Sequence, residues 1–295
     1  MPLSDIIKNM QKRLGRFSLI ALFFSVFIGI STIIRGVLVV KSRSLLPIGV
    51  ISLLSIFGVG FFYDLVTAVY FSIPIVLYLV LMPERWFSSR FHRPVLCLLA
   101  FVTLYLLVFN AFAEYIFFDE FGTRFNFIAV DYLVYTTEVI RNIRESYPLA
   151  ELLAAIALIA AIIFLLIRKA LFTSYNSAKS FKQRLTTGIV FLILPVLSLC
   201  FVDQSFSRIS SNPYANELAS NGIYNFFAAL KNNKLDYYAF YRTLPDTEAL
   251  QWLKHELGEE TNAQFLSEDA RDIRRHITNP GPEKKLNVVV IMVES

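Results

Sequence analysis

The sequence predicts a polytopic all-α membrane domain of five transmembrane helices, followed by an extracytoplasmic helical linker and the opening strand of an α/β domain. Three observations predict it. The composition is 56% hydrophobic and 15% aromatic with a mean hydropathy of +0.55, too apolar for a soluble domain of this length. Five apolar runs are long enough to cross ~30 Å of hydrocarbon. The loops between them carry an uneven share of the cations. The net charge of +5 is spread along the chain rather than gathered into a basic stripe, which argues against a nucleic-acid partner.

The runs are Phe17 to Val40, Leu45 to Met82, Pro94 to Phe118, Leu149 to Ile167 and Leu185 to Val202. The first follows Lys8, Lys12, Arg13 and Arg16, but it is too long for a signal core and lacks a small-residue cleavage site, so it reads as a retained anchor. The second could form about 57 Å of helix at 1.5 Å per residue. It is either a strongly tilted helix kinked at Pro74, or an embedded part from Gly60 to Met82 whose preceding "LLPIGVISLLSIFG" lies at or above the outer surface, with Gly58 and Gly60 as weak points. Counting it as one span places Lys8, Lys12, Arg13, Arg16, Arg85, Arg90, Arg93, Arg168, Lys169, Lys179, Lys182 and Arg184 on the cytoplasmic side. Only Lys41, Arg43, Arg124, Arg141 and Arg144 then face out. Splitting it would reverse that bias, so the positive-inside rule predicts five spans with the N-terminus inside and the C-terminus outside.

Composition divides the chain into a membrane domain over 1–204, a linker over 205–285 and a terminal strand over 286–295. In the linker, "NPYANELASNGIYNFFAALKNN" has Leu218, Ile223, Phe226, Phe227 and Leu230 at near-helical spacing. Such a helix lies along the membrane surface or packs on a soluble domain. "DTEALQWLKHEL" is a second helix, capped by Asp246 and stopped before Gly258. "TNPGPEKK" is a turn-rich lead into the last run. Cys97 and Cys200 sit in apolar runs and show no disulfide or metal-ligand spacing.

Arg35, Asp64 and Glu114 stand in or at the edge of the spans, where a charge costs several kcal/mol unless paired or hydrated. Five-span topology places all three at one level near the outer face. They form either ion pairs that hold helices together or a polar pocket for a lipid headgroup with Arg35 as phosphate partner. Transport is a weaker reading, because the chain has no inverted repeat.

The final run, "LNVVVIMVES", has six consecutive apolar residues from Val288 to Val293 and then Glu294. Such a run suits a central parallel strand, and a carboxylate at its carboxyl end stands where open α/β sheets place catalytic groups. Glu294 is therefore either a ligand for a divalent cation or the first solvated residue after a strand.

Five spans, an extracytoplasmic linker and "LNVVVIMVES" together resemble the lipoteichoic acid synthase family of membrane phosphoglycerol transferases, whose catalytic domain is sulfatase-like. "FDEFGTRFNFIAVDYLVYTTEVIRNIRESYP" and "NPYANELASNGIYNFFAAL" are also similar to segments of that family. The resemblance implies that Glu294 is the first ligand of a catalytic manganese or magnesium ion, and that a threonine nucleophile and further Asp and His ligands lie downstream. It also implies phosphatidylglycerol as donor, a glycan or glycerophosphate chain as acceptor, and a bacterial cytoplasmic membrane location. This chain alone, cut after the first catalytic-domain strand, is then expected to be inactive and to hold no metal stably. Phosphoethanolamine transferases share the five-span plan, but their first strand ends in glycine before the glutamate, where this chain has Val293. A non-catalytic membrane module that binds lipid or a partner protein is the remaining alternative.

Overall fold

In hydrocarbon every backbone N–H and C=O must be satisfied within the chain, so long apolar runs become helices. The computed structural model describes residues 14–46, 49–134, 136–173, 180–232, 244–258, 262–269, 271–282, 285 and 287–292. Among these, five helices are long and apolar enough to cross a membrane, compatible with a multi-pass membrane protein. They are α1 (Ser18–Lys41, entered through a 3-10 turn), α2 (Val50–Leu81), α4 (His92–Phe121), α7 (Leu149–Thr173) and α8 (Phe181–Phe201). The short helix α3 (Glu84–Phe87) joins α2 to α4. The helices α5 (Phe127–Val134) and α6 (Thr136–Ser146) lie between α4 and α7. After α8 come α9 (Pro213–Ala219) and α10 (Gly222–Asn232).

The end of the spans at which α1 begins is called proximal here and the opposite end distal. The helix α2 is central, packing along α1 and α8, while α4 packs along α7 and α1. The approach of α8 to α2 is close enough that a Cβ at Gly188 would overlap the Val80 side chain. One apolar core lies at the proximal end around Phe17, Ile20, Val76, Leu79, Leu96 and Leu171. There Arg16 and Arg184 close the C-terminus of α2. Arg16 donates to Leu79 O (3.0 Å) and Met82 O (2.7 Å) and pairs with Glu84, and Arg184 donates to Met82 O (2.9 Å). Cations placed at the last carbonyls of a helix satisfy acceptors that have no partner within it. A second core at the distal end joins Ile34, Leu38, Ile56 and Phe118 of the spans to Ala215 and Leu218 of α9.

Of the two readings of the second run, the single helix is the one that forms. It is one unbroken helix through Gly58, Gly60 and Pro74. A glycine in a helix interior costs only about 1 kcal/mol, less than opening a hydrogen-bonded backbone in lipid. The distal part of α2 also has a packing role, since Ile56 sits against α9. The near-helical stretch after residue 212 likewise proves to be two helices. Asn212 caps α9 by accepting from Ala215 N (3.1 Å), with Pro213 in the first turn. The chain then breaks at Ser220 and Asn221 before α10 begins.

The chain divides into two compact units, Met1–Lys234 and Leu235–Ser295, and α9 and α10 fall in the first. The second unit contains α11 (Asp246–Gly258) and an antiparallel pair of strands that the sequence did not suggest, β1 (Ala263–Phe265) and β2 (Arg275–Ile277). Lys254 of α11 donates to Ser267 O and Asp269 O, both at 2.7 Å, and Arg275 of β2 donates to Leu257 O (3.0 Å). Asp272 is held near pKa 2 by hydrogen bonds from Arg274 and by its charge. Of the terminal run, the described residues 287–292 have no regular structure, and Val288 to Met292 are 79–84% exposed. A strand exists only by pairing, and among the described residues the one strand pairing is β1 with β2.

Candidate functional site

The geometry converges at the distal end of the spans. Arg35 lies in α1 and Asp64 in α2, each five or more residues inside an apolar helix. They meet in a two-pronged pair, Nη1 to Oδ2 at 2.6 Å and Nη2 to Oδ1 at 2.8 Å. The planar guanidinium matches both carboxylate oxygens at once, the strongest form of side-chain ion pair. Helix α2 makes room for it at Gly60, where a Cβ would overlap the Arg35 guanidinium. The two Arg35 donors that face away from Asp64 take backbone carbonyls at the end of α9. Nε donates to Leu218 O (3.0 Å) and Nη2 also donates to Ser220 O (3.1 Å).

Glu114, in α4, does not join that pair. The helix ends at Gly122, whose left-handed φ of 67° lets its N–H return to Phe118 O (3.0 Å). This reversal turns the following residues back along α4. Arg124 thereby folds onto Glu114, with Nε paired to Oε1 and Nη1 donating to the same Ser220 carbonyl that Arg35 holds. The Arg124 backbone N–H donates to Glu217 Oε2 (3.1 Å). Arg35, Asp64 and Arg124 are 0% exposed and Glu114 is 2% exposed. The remaining nitrogen of Arg124, Nη2, is buried without an acceptor among the described residues.

The break between α9 and α10 is the piece that fits between the two pairs. Asn221 uses both ends of its amide: Oδ1 accepts from Tyr224 N (3.1 Å), capping α10, and Nδ2 donates to Asp64 Oδ1 (2.8 Å). Gly222 lies against Glu114 so closely that a Cβ there would come within 2.6 Å of the carboxyl carbon. Ser220 Oγ donates to Glu217 O (2.7 Å) and accepts from Asn225 Nδ2 (2.8 Å). Below this turn the Tyr224 hydroxyl donates to Val202 O (2.9 Å), and its ring meets Tyr63 edge-on at 5.0 Å. Burial and the neighbouring Tyr63 push the Tyr224 hydroxyl up to about 12. Burial also pushes the Glu217 carboxyl up, partly offset by the N–H and charge of Arg124.

Of the residues singled out from sequence, Arg35 and Asp64 are partners and Glu114 belongs to a second pair beside them. Glu294 lies outside the described residues. Sequence reasoning missed Arg124, Gly60 and the turn 220–222. Charge balance could have pointed to Arg124: with Arg35 and Asp64 cancelling, a buried Glu114 needs a cation, and Arg124 stands ten residues on, just past a helix-ending glycine. Chemically the site suits holding rather than reacting. Each guanidinium is neutralised by a carboxylate, and the further N–H groups with partners point at carbonyls of the segment they grip. A divalent cation requires several converging oxygen or nitrogen ligands, and no group of three or more His, Cys, Asp and Glu side chains among the described residues could hold one. The residues described here thus do not fit a catalytic manganese or magnesium site. Comparison with protein-family models, curated proteins and solved structures gives no match for this chain.

Proposed function

We propose that the chain is the membrane-anchor portion of a metal-dependent phosphoglycerol transferase or sulfatase-like enzyme acting on lipid phosphodiesters at the outer face of a bacterial cytoplasmic membrane. In this reading its five helices do no chemistry. They hold the segment leaving the membrane in one register, so that a catalytic domain beyond it works beside its lipid donor, phosphatidylglycerol, and an acceptor glycan or glycerophosphate chain. Such tethering raises the effective concentration of the two reactants. The observation that carries the reading is the convergence of both buried arginines on Ser220 O. It joins the two further segments that are similar to that family, the one holding Arg124 and the one holding Ser220. The distal end is accordingly extracytoplasmic and the N-terminus cytoplasmic. In this reading Glu294 is the first metal ligand, and the threonine nucleophile, the remaining ligands and the transfer itself are assigned to residues after Ser295.

The nucleotide sequence following the Ser295 codon tests this. An open frame supplying a threonine nucleophile with Asp and His ligands supports the reading, and unrelated sequence overturns it in favour of a non-catalytic membrane module. The purified chain, given labelled phosphatidylglycerol and manganese, is expected to release no diacylglycerol; turnover by this chain alone refutes its role as an anchor.

A further inference from the structure

At the proximal end, away from the ion pairs, α1, α2, α4 and α7 enclose a cavity of about 390 Å³. Its wall is hydrocarbon except for Tyr78 and Thr103, and both hydroxyls have partners. Tyr78 is hydrogen-bonded to the His92 ring, and Thr103 donates to Leu99 O (2.8 Å). Water gains little in such a space, whereas leaving it empty forfeits dispersion contacts over the whole wall. The wall runs from buried Leu104 and Leu171 outward to exposed Pro74 and Leu99, so the cavity opens sideways between α2 and α4. For membrane-spanning helices the medium at that opening is lipid.

Depth and charge define the occupant. The lining positions on α4 run from Leu96 to Leu107, about 16 Å of helix at 1.5 Å per residue, which is close to half of a ~30 Å hydrocarbon core. The volume falls at the lower end of the range for small-molecule sites, about 300–1,000 Å³, enough for one chain rather than a whole lipid. Cations stand where that chain would meet its headgroup. Arg93 precedes Leu96 by three residues and continues the same face of α4 toward the proximal end. Arg168 stands between the lining residues Ile167 and Leu171 near the proximal end of α7. We propose that this cleft holds one acyl chain of an anionic phospholipid from the leaflet at the proximal end, its phosphate drawn by Arg93 and Arg168. The site is independent of the anchor reading, which concerns the other end of the spans.

The test is native mass spectrometry of the full chain released from nanodiscs containing dioleoylphosphatidylglycerol and dioleoylphosphatidylcholine in equal parts. The expected result is one phosphatidylglycerol retained per chain, preferred over phosphatidylcholine by about thirtyfold, the scale of two nearby surface cations. Arg93→Gln with Arg168→Gln, both at exposed positions, is expected to bring that preference to about unity while one lipid is still retained. Ala100→Phe, which puts a ring into the cavity where the chain would lie, is expected to abolish retention of either lipid with an unchanged helical circular dichroism spectrum. Equal retention of the two lipids by the unsubstituted chain, retention of neither, or full retention by a folded Ala100→Phe variant overturns the proposal. If Ala100→Phe does not fold, the double arginine variant decides: an undiminished preference refutes it.

Discussion

Replacing Asp64 with leucine separates the two roles that Arg35 has in the structure. The substitution removes the carboxylate that holds Arg35 with two hydrogen bonds and leaves a guanidinium that is 0% exposed facing only Leu218 O and Ser220 O. It also deprives Asn221 Nδ2 of its acceptor. Breaking a buried pair from one side costs about 3–5 kcal/mol, and the orphaned amide places Asp64→Leu toward the upper part of that range. Hydrogen exchange read by mass spectrometry on the chain in nanodiscs reports this as faster exchange over residues 213–232, by roughly a thousandfold to a few thousandfold. The companion variant Arg35→Met with Asp64→Leu replaces the whole pair by apolar side chains of similar volume, which is often neutral for the helices involved. Exchange in α1 and α2 around positions 35 and 64 should then recover. Residues 213–232 should not recover, because two hydrogen bonds from a charged donor, each about 1.5–3 kcal/mol, are still missing. If the double variant restores wild-type protection over 213–232, or the single variant shifts it less than threefold, Arg35 does not grip α9 and the clamp is wrong.

Two glycines two positions apart, Gly58 and Gly60, should respond oppositely to alanine. Gly60→Ala overlaps the Arg35 guanidinium and is expected to cost about 1–3 kcal/mol in thermal unfolding. Gly58→Ala meets nothing within 4 Å and should be neutral or stabilising by about 0.5–1 kcal/mol; equal effects would show that the close approach is not real. Arg124→Met strands the buried Glu114 carboxylate and should destabilise by about 3–5 kcal/mol, largely rescued by adding Glu114→Leu; a failure of rescue refutes the pairing. Glu217 has a raised folded pKa, so the folded chain keeps that proton to higher pH than the unfolded chain does. Its contribution to stability is therefore greatest below the ordinary carboxylate range and declines as pH rises through the raised value. Glu217→Gln should flatten that decline in melting curves taken between about pH 4 and 7, and an unchanged slope would remove Glu217 as its source.

The spans were legible because lipid imposes a simple rule: an uninterrupted apolar run has to be a helix. Glu114 and Asp64 stood out for the same reason, since a carboxylate in such a run demands a partner. Their actual partners were harder to read. Arg35 and Asp64 are 29 residues apart, and five-span topology brings them to one level, but it brings Glu114 there too, so depth alone did not say which carboxylate takes Arg35. Arg124 looked like an ordinary loop cation because the signal for its fold-back, Gly122 ending the helix and Glu114 ten residues earlier needing a cation, is read only when burial and chain reversal are taken together. Ser220 was less visible still, since it contributes a backbone carbonyl, and a carbonyl has no signature in sequence. The glycines of α2 show a different limit. Gly58 and Gly60 were read as weak points from their intrinsic flexibility, whereas the structure uses the missing Cβ of Gly60 for a close approach.

Why the distal end relies on charge rather than on more leucine follows from the solvent. Apolar side chains gain little by leaving lipid for one another, so the core of Ile34, Leu38, Ile56, Phe118, Ala215 and Leu218 cannot by itself fix α9 on the spans. Hydrogen bonds to the end of a short helix can. Helix α9 is 7 residues long, too short to be stable alone, and its C-terminal carbonyls face the negative end of its dipole. Two guanidiniums at that end supply donors and favourable charge together, while Asp64 and Glu114 neutralise them so that no net charge is left buried. Directional bonds of this kind also set register: sliding α9 by one residue would carry Leu218 O and Ser220 O away from both arginines at once. A change that keeps the apolar core but alters register should therefore be resisted. Inserting one alanine between Ala219 and Ser220 is expected to abolish protection of residues 213–232 in hydrogen exchange, whereas insertion of one alanine after Gly258, in the second unit, should leave it unchanged. Equal protection in both insertions would mean that apolar packing, not the arginine pair, holds the segment in place.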